Sequence, residues 1–107
     1  MANITRGSHD PLLAKLQSVL EEYENQNVGS AATLYRQNSA SIRIRIIDER
    51  FSKLSKGDRH DQVWKFLSDR LTDDDVQEIS VLLLLAPDEQ GSSIMNAEFD
   101  APLPSTL

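Results

Sequence analysis

The chain has 107 residues, 39% hydrophobic and 26% charged, with a formal net charge of −6 and no cysteine. That length supports one domain with a small core. The missing cysteines exclude disulfides, thiolate nucleophiles and cysteine metal sites, and the overall acidity argues against non-specific nucleic-acid binding.

Residues 1–9 show no periodicity and are expected as a flexible lead, with His9 in solvent. They lack the apolar stretch of a secretory signal. Asp10-Pro11 reads as a helix start, Asp10 accepting backbone N–H groups and Pro11 fitting the first helical position. Leu12, Leu13, Leu16, Val19, Leu20 and Tyr23 then recur on one helical face, with Glu21, Glu22 and Glu24 on the other. Asn25, Asn27 and Gly29 end the helix. Residues 31–37 are a weak strand candidate, and Gln37-Asn38-Ser39 is turn chemistry. In residues 41–48, SIRIRIID, Ile42, Ile44 and Ile46 alternate with Arg43 and Arg45. This period of two predicts a strand with its Ile row on the core and its Arg row in water. The two strands make a hairpin.

Residues 51–57 read as a charged loop or a single helical turn. Asp58 is expected to cap a second helix with Val63, Phe66, Leu67 and Leu71 on its apolar side. Asp61 resembles a capping-box partner, and Trp64 is expected to pack at the edge. Residues 72–86 are ambiguous. Thr72 and the three following Asp look like a capped helix start, whereas VLLLLA, six residues, fits a buried strand. That run is the longest apolar one and is far too short to span a membrane. Residues 90–107 read as a disordered acidic tail.

Charge is unevenly spread. Residues 36–70 carry nine positive and five negative charges, whereas residues 71–107 carry eight negative and none positive. The candidate binding residues for a partner or nucleic acid are therefore Arg43, Arg45, Arg50, Lys53, Lys56, Arg59 and His60. The Arg43/Arg45 row, with Arg36, is either a partner- or phosphate-facing patch or an ordinary wet sheet face. The acidic tail could fold back over it. No Gly-rich phosphate loop, nucleophile elbow or GxxG clamp is present, and no catalytic residues are assigned. Asp73, Asp74, Asp75 and Glu78 lack the spacing of a calcium loop and read as a capped, solvated helix start.

From Asp48 onward the spacing resembles the BolA family. The residues are IIDERF at 46–51, Arg59-His60, Val63, Leu67 and Leu71 along a helix, and EISVLLLLAPDE at 78–89. The resemblance covers residues 10–89, the expected domain. It implies an α+β fold of α-β-β-α-α-β order, like a class II KH domain: a three-stranded mixed sheet, helices packed on one face, and residues 79–85 as the third strand, parallel to its neighbour. It also implies a non-enzymatic adaptor that pairs with a monothiol glutaredoxin, where such proteins can share a [2Fe–2S] cluster. The family's cluster-ligand His before the last strand is Glu78 here, and the loop through residues 29–41 has neither His nor Cys. Lys53 replaces a common Gly, and Asp61 replaces the second Arg of an Arg-His-Arg run. Carboxylate is a poor ligand for cluster iron, so partner binding without a cofactor or metal is expected.

His60 matches the Arg-His pair. It is expected as a half-buried helix-start residue with a ring nitrogen bonded to a carbonyl. The alternatives are a partner contact, a phosphate contact or a substitute ligand. The competing function is a nucleic-acid-binding transcriptional regulator using the basic face. A cytoplasmic monomer or weak homodimer without membrane contact completes the expectation.

Overall fold

The computed structural model describes residues 1–7, 10–92, 95–100 and 102; His9 lies outside them. In chain order the elements are β1 (Asn3–Arg6), α1 (Pro11–Gln26), β2 (Ala31–Asn38), β3 (Ser41–Ile47), α2 (Lys56–Ser68), α3 (Asp73–Gln77), β4 (Ile79–Leu85) and α4 (Asn96–Asp100). Short 3-10 helices occupy Glu49–Lys53 and Pro87–Ser92. The strands form one mixed sheet in the order β1-β2-β3-β4. The central hairpin is antiparallel, and β1–β2 and β3–β4 are parallel. Parallel neighbours need a crossover: α1 supplies one, and α2 with α3 the other. No helix among the described residues is long and apolar enough to cross a membrane.

The class is α+β, and α-β-β-α-α-β runs from α1 to β4 as expected. The sheet, however, has four strands rather than three. Asn3–Arg6, expected to be flexible, pairs with Thr33–Tyr35 of β2. Four residues with one large apolar side chain show no readable alternation, yet Ile4 packs on the core. Ala2 is buried beside it, its carbonyl accepting a bond from the Gln17 side chain at 2.9 Å.

The period-two pattern of β3 builds the core. Ile42, Ile44 and Ile46 are fully buried, with Leu34 and Ala32 on the same sheet face. Leu13, Leu16 and Leu20 of α1 and Val63 and Leu67 of α2 cover them. Each such side chain contributes roughly 1.5–3 kcal/mol on burial. Asp10 caps α1, accepting from the amides of Leu12 (2.8 Å) and Leu13 (3.3 Å). Glu24 departs from the expected solvated face: it is buried and accepts the Ala32 N–H at 2.9 Å, fixing the start of β2.

One helix start differs from the sequence reading. Ser55, not Asp58, caps α2, its Oγ accepting the Asp58 N–H at 3.1 Å. Asp61 therefore lies beyond the first turn and completes no capping box. The reciprocal box belongs to α3, between Thr72 and Asp75. The ambiguous stretch 72–86 holds both signals in succession, a five-residue helix and then a seven-residue strand.

The far side of the sheet is not wet. Arg45 is 7% exposed, because α4 lies across Thr33, Tyr35, Arg43 and Arg45 with Phe99 fully buried against Tyr35. Helices thus pack on both faces, and the tail expected to be disordered is helical at Pro87–Ser92 and Asn96–Asp100. The rest of that expected tail, 93–94, 101 and 103–107, lies outside the described residues. The physical reason is local: Phe99 supplies an apolar anchor that composition averaged over the tail conceals.

Candidate functional site

The basic segment and its acidic flanks meet in space. Arg36 bridges Asp10 (Nη2 to Oδ2, 2.7 Å) and Glu78 (Nη1 to Oε1, 2.7 Å). Arg43 pairs with Glu98 and Arg45 with Asp100, each at 3.0 Å. Arg50 grips the buried Asp48 through Nε (3.1 Å) and Nη2 (3.0 Å), and Asp48 also accepts from the Tyr23 hydroxyl at 3.3 Å. Burial, then the Asp48 charge and hydrogen bond, push the Tyr23 phenol far above its ordinary range. Burial alone would raise the Asp10 carboxyl, but bonds from Arg36, Leu13 and Leu12 outweigh it and hold the group below its usual value.

Arg59 and His60, adjacent in sequence, diverge completely. Arg59 is 4% exposed and ties four elements together. Its Nε donates to the Leu54 carbonyl and Nη1 to the Leu84 carbonyl, both at 3.1 Å. Nη1 and Nη2 chelate Glu89 at 2.6 and 2.9 Å. The Arg59 bonds, with a further one from the Ala86 amide, lower the Glu89 carboxyl from 4.5 to about 2. His60 was expected to be half-buried with its ring bonded to a carbonyl. It is exposed, has no hydrogen bond among the described residues, and lies parallel to Trp64 with centroids 5.8 Å apart. At this point of the helix the buried direction belongs to Arg59, so the next residue turns outward.

His60 and Lys56, one turn apart on α2, line a cleft of about 500 Å³ together with Leu82, Leu83, Leu84, Leu85 and Glu89. Four consecutive strand residues can line one cleft only along the strand's edge, where both faces and the backbone are reached. Among the described residues β4 is an outer strand, with β3 as its one strand neighbour. The Leu85 carbonyl accepts the Asp48 amide and so faces β3. By alternation the backbone groups of Val81 and Leu83 also face β3, and those of Leu82 and Leu84 face outward. The Arg59 bond to the Leu84 carbonyl agrees with that direction.

The sequence-predicted residues therefore separate. Arg43 and Arg45 lie under α4, and Arg50 and Arg59 hold internal carboxylates. Lys56 and His60 flank the β4 cleft, and Lys53 is exposed on the neighbouring 3-10 helix with no ion pair among the described residues. Glu78 lies before the other end of β4, bound to Arg36.

Comparison with protein-family models, with curated proteins and with solved structures returns no match. The site accordingly stands on its own geometry. A carboxylate held by a guanidinium does not fit the imidazole or thiolate position of a shared [2Fe–2S] cluster. The described residues include no group of three His, Cys, Asp or Glu side chains placed to hold a metal ion. Sequence reasoning missed the open edge of β4 and the roles of Glu89, Glu98 and Phe99. For the last two a signal was present: Glu-Phe-Asp at 98–100 sets an aromatic between two acids.

Proposed function

We propose that the chain is a non-enzymatic, BolA-like adaptor that receives a partner protein along the outer edge of β4. A monothiol glutaredoxin or another iron–sulfur assembly protein is the partner class that the resemblance implies. The observation that carries this reading is the cleft of about 500 Å³ along the outer edge of β4, which has no second strand neighbour among the described residues and whose Leu84 carbonyl is held by Arg59, with Lys56 and His60 also lining the cleft. An outer strand whose Leu82 and Leu83 are half-buried is a template for strand addition. The α-β-β-α-α-β order from α1 to β4 supports the family reading. Glu89, the carboxylate among the residues lining the cleft, is chelated by Arg59 and is a poor general base. The nucleic-acid reading loses its main support, since Arg43 and Arg45 are covered and paired.

The test is a titration of isotope-labelled chain with a monothiol glutaredoxin, apo and then cluster-loaded, following amide shifts and the visible spectrum. Shifts along Leu82–Leu85 and Lys56–His60 with an unchanged cluster spectrum are expected. Absence of any shift would remove the glutaredoxin class, and a changed spectrum would overturn cluster-independent docking.

A further inference from the structure

The face of the sheet opposite the core is built around an internal ligand. Four side chains, Thr33, Tyr35, Arg43 and Arg45, stand on it at paired register positions. α4 fills it with three groups in succession. Glu98 Oε2 accepts from Arg43 Nη1 at 3.0 Å, and the same nitrogen donates to the Tyr35 hydroxyl at 3.0 Å. The Phe99 ring enters edge-on to Tyr35, centroids 5.2 Å apart, with the Arg45 guanidinium 5.5 Å from its centre. Asp100 Oδ1 accepts from Arg45 Nη2 at 3.0 Å, and Asn96 Oδ1 from Arg45 Nη1 at 2.8 Å.

Two features make this occupant replaceable. A five-residue helix has little stability of its own and persists through the contacts it makes. Its fit is also incomplete: the Nε atoms of Arg43 and Arg45 are buried with no hydrogen-bond partner among the described residues. An unmet guanidinium donor in a buried site disfavours the closed state, and a carboxylate that reached Nε and Nη together would satisfy both donors at once.

We infer that this face is a second protein-binding surface, specific for an acid–aromatic–acid peptide segment of a partner, and that Asn96–Asp100 occupies it in cis. The slot holds the Phe99 ring nearly perpendicular to Tyr35 with the Arg45 guanidinium beside it, while Arg43 and Arg45 each bind a carboxylate of the same segment. An aromatic peptide side chain flanked by carboxylates therefore suits it better than a stacked nucleobase. The surface is separate from the β4 edge, so it stands or falls independently of the adaptor reading.

The test uses the full chain and, as probe, a fluorescein-labelled, amidated peptide of this chain's residues 95–100, read by anisotropy. Phe99→Ala removes the anchor of the internal segment. If α4 covers the face about nine-tenths of the time or more, the variant binds the peptide at least about tenfold more tightly than the parent chain. Arg45→Gln added to Phe99→Ala should abolish that gain, as should replacing Phe by Ala in the peptide. Equal binding by the parent chain and Phe99→Ala, or indifference to the peptide's Phe, would overturn the inference. So would tighter binding of a single-stranded oligothymidylate than of the peptide. Should Phe99→Ala lose its folded circular dichroism, the Glu98→Lys/Asp100→Lys chain repels α4 without opening a cavity and must show the same gain.

Discussion

Gly7 sits where β1 turns toward α1, at φ +93°, and a Cβ there would lie 2.6 Å from Leu13 Cδ1 and 3.0 Å from Arg36 Cβ. Backbone strain and crowding act together, so Gly7→Ala should lose at least ~2 kcal/mol in urea unfolding. Gly29 has a similar φ with open space around it, and the same change there should cost less, on the order of 1 kcal/mol. Equal losses at the two positions would show that the contact with Leu13 is absent. At Glu89 the consequence is a pH dependence. Its carboxyl is lowered from 4.5 to about 2 by Arg59 and then by the Ala86 amide. The unfolded chain takes up a proton near 4.5 that the folded chain refuses, so this contribution is complete above that pH and is lost as pH falls toward 2. A carboxyl-carbon titration should place Glu89 near 2 in the parent chain and restore it toward 4.5 in Arg59→Leu. An unshifted Glu89 in the parent would contradict the chelate.

At the scale of elements, the strongest local signal and the strongest packing coincide in β3. Ile44 is fully buried at the centre of the sheet, and Ile44→Ala should cost about 2–5 kcal/mol by thermal or chemical unfolding. A loss below ~1 kcal/mol would mean that α1 and α2 do not close over that row. The periodicities of α1 and β3 were legible because one face of each is apolar and the other polar. The alternation in β3 still misled about its polar row: it tells which side chains share a face, not what else covers that face. Arg43 and Arg45 are covered from a segment more than fifty residues away in sequence, a contact that period-two reading cannot register. β1 was illegible for the opposite reason, being four residues whose pairing is decided by β2. Leu82–Leu85 read equally as helix or strand because a run of leucine is apolar at every period; the tertiary pairing with β3 decides it. Of the candidate site, Lys56 and His60 were named from the sequence, but the edge they flank became visible only with the strand order.

For the whole molecule, the uneven charge along the chain is an internal matching device more than an external one. The basic middle meets the acidic flanks through Arg36, Arg43, Arg45, Arg59 and Arg70. Several of these pairs are partly shielded from water, which limits screening by salt. With so many guanidinium groups paired, double-stranded DNA should not be retained at physiological salt by the parent chain. Retention whose affinity falls steeply with added salt would restore a free basic face.

The central claim, that a partner adds along β4, is tested most directly by amide hydrogen exchange of the full chain, alone and with a monothiol glutaredoxin. Val81, Leu83 and Leu85 face β3 and should be protected in both samples, whereas Leu82 faces outward, is half-buried and should exchange fast in the free chain. Slowing at Leu82 in the complex is the predicted result. Unchanged exchange at Leu82, with protection appearing elsewhere on the chain, would contradict docking at this edge.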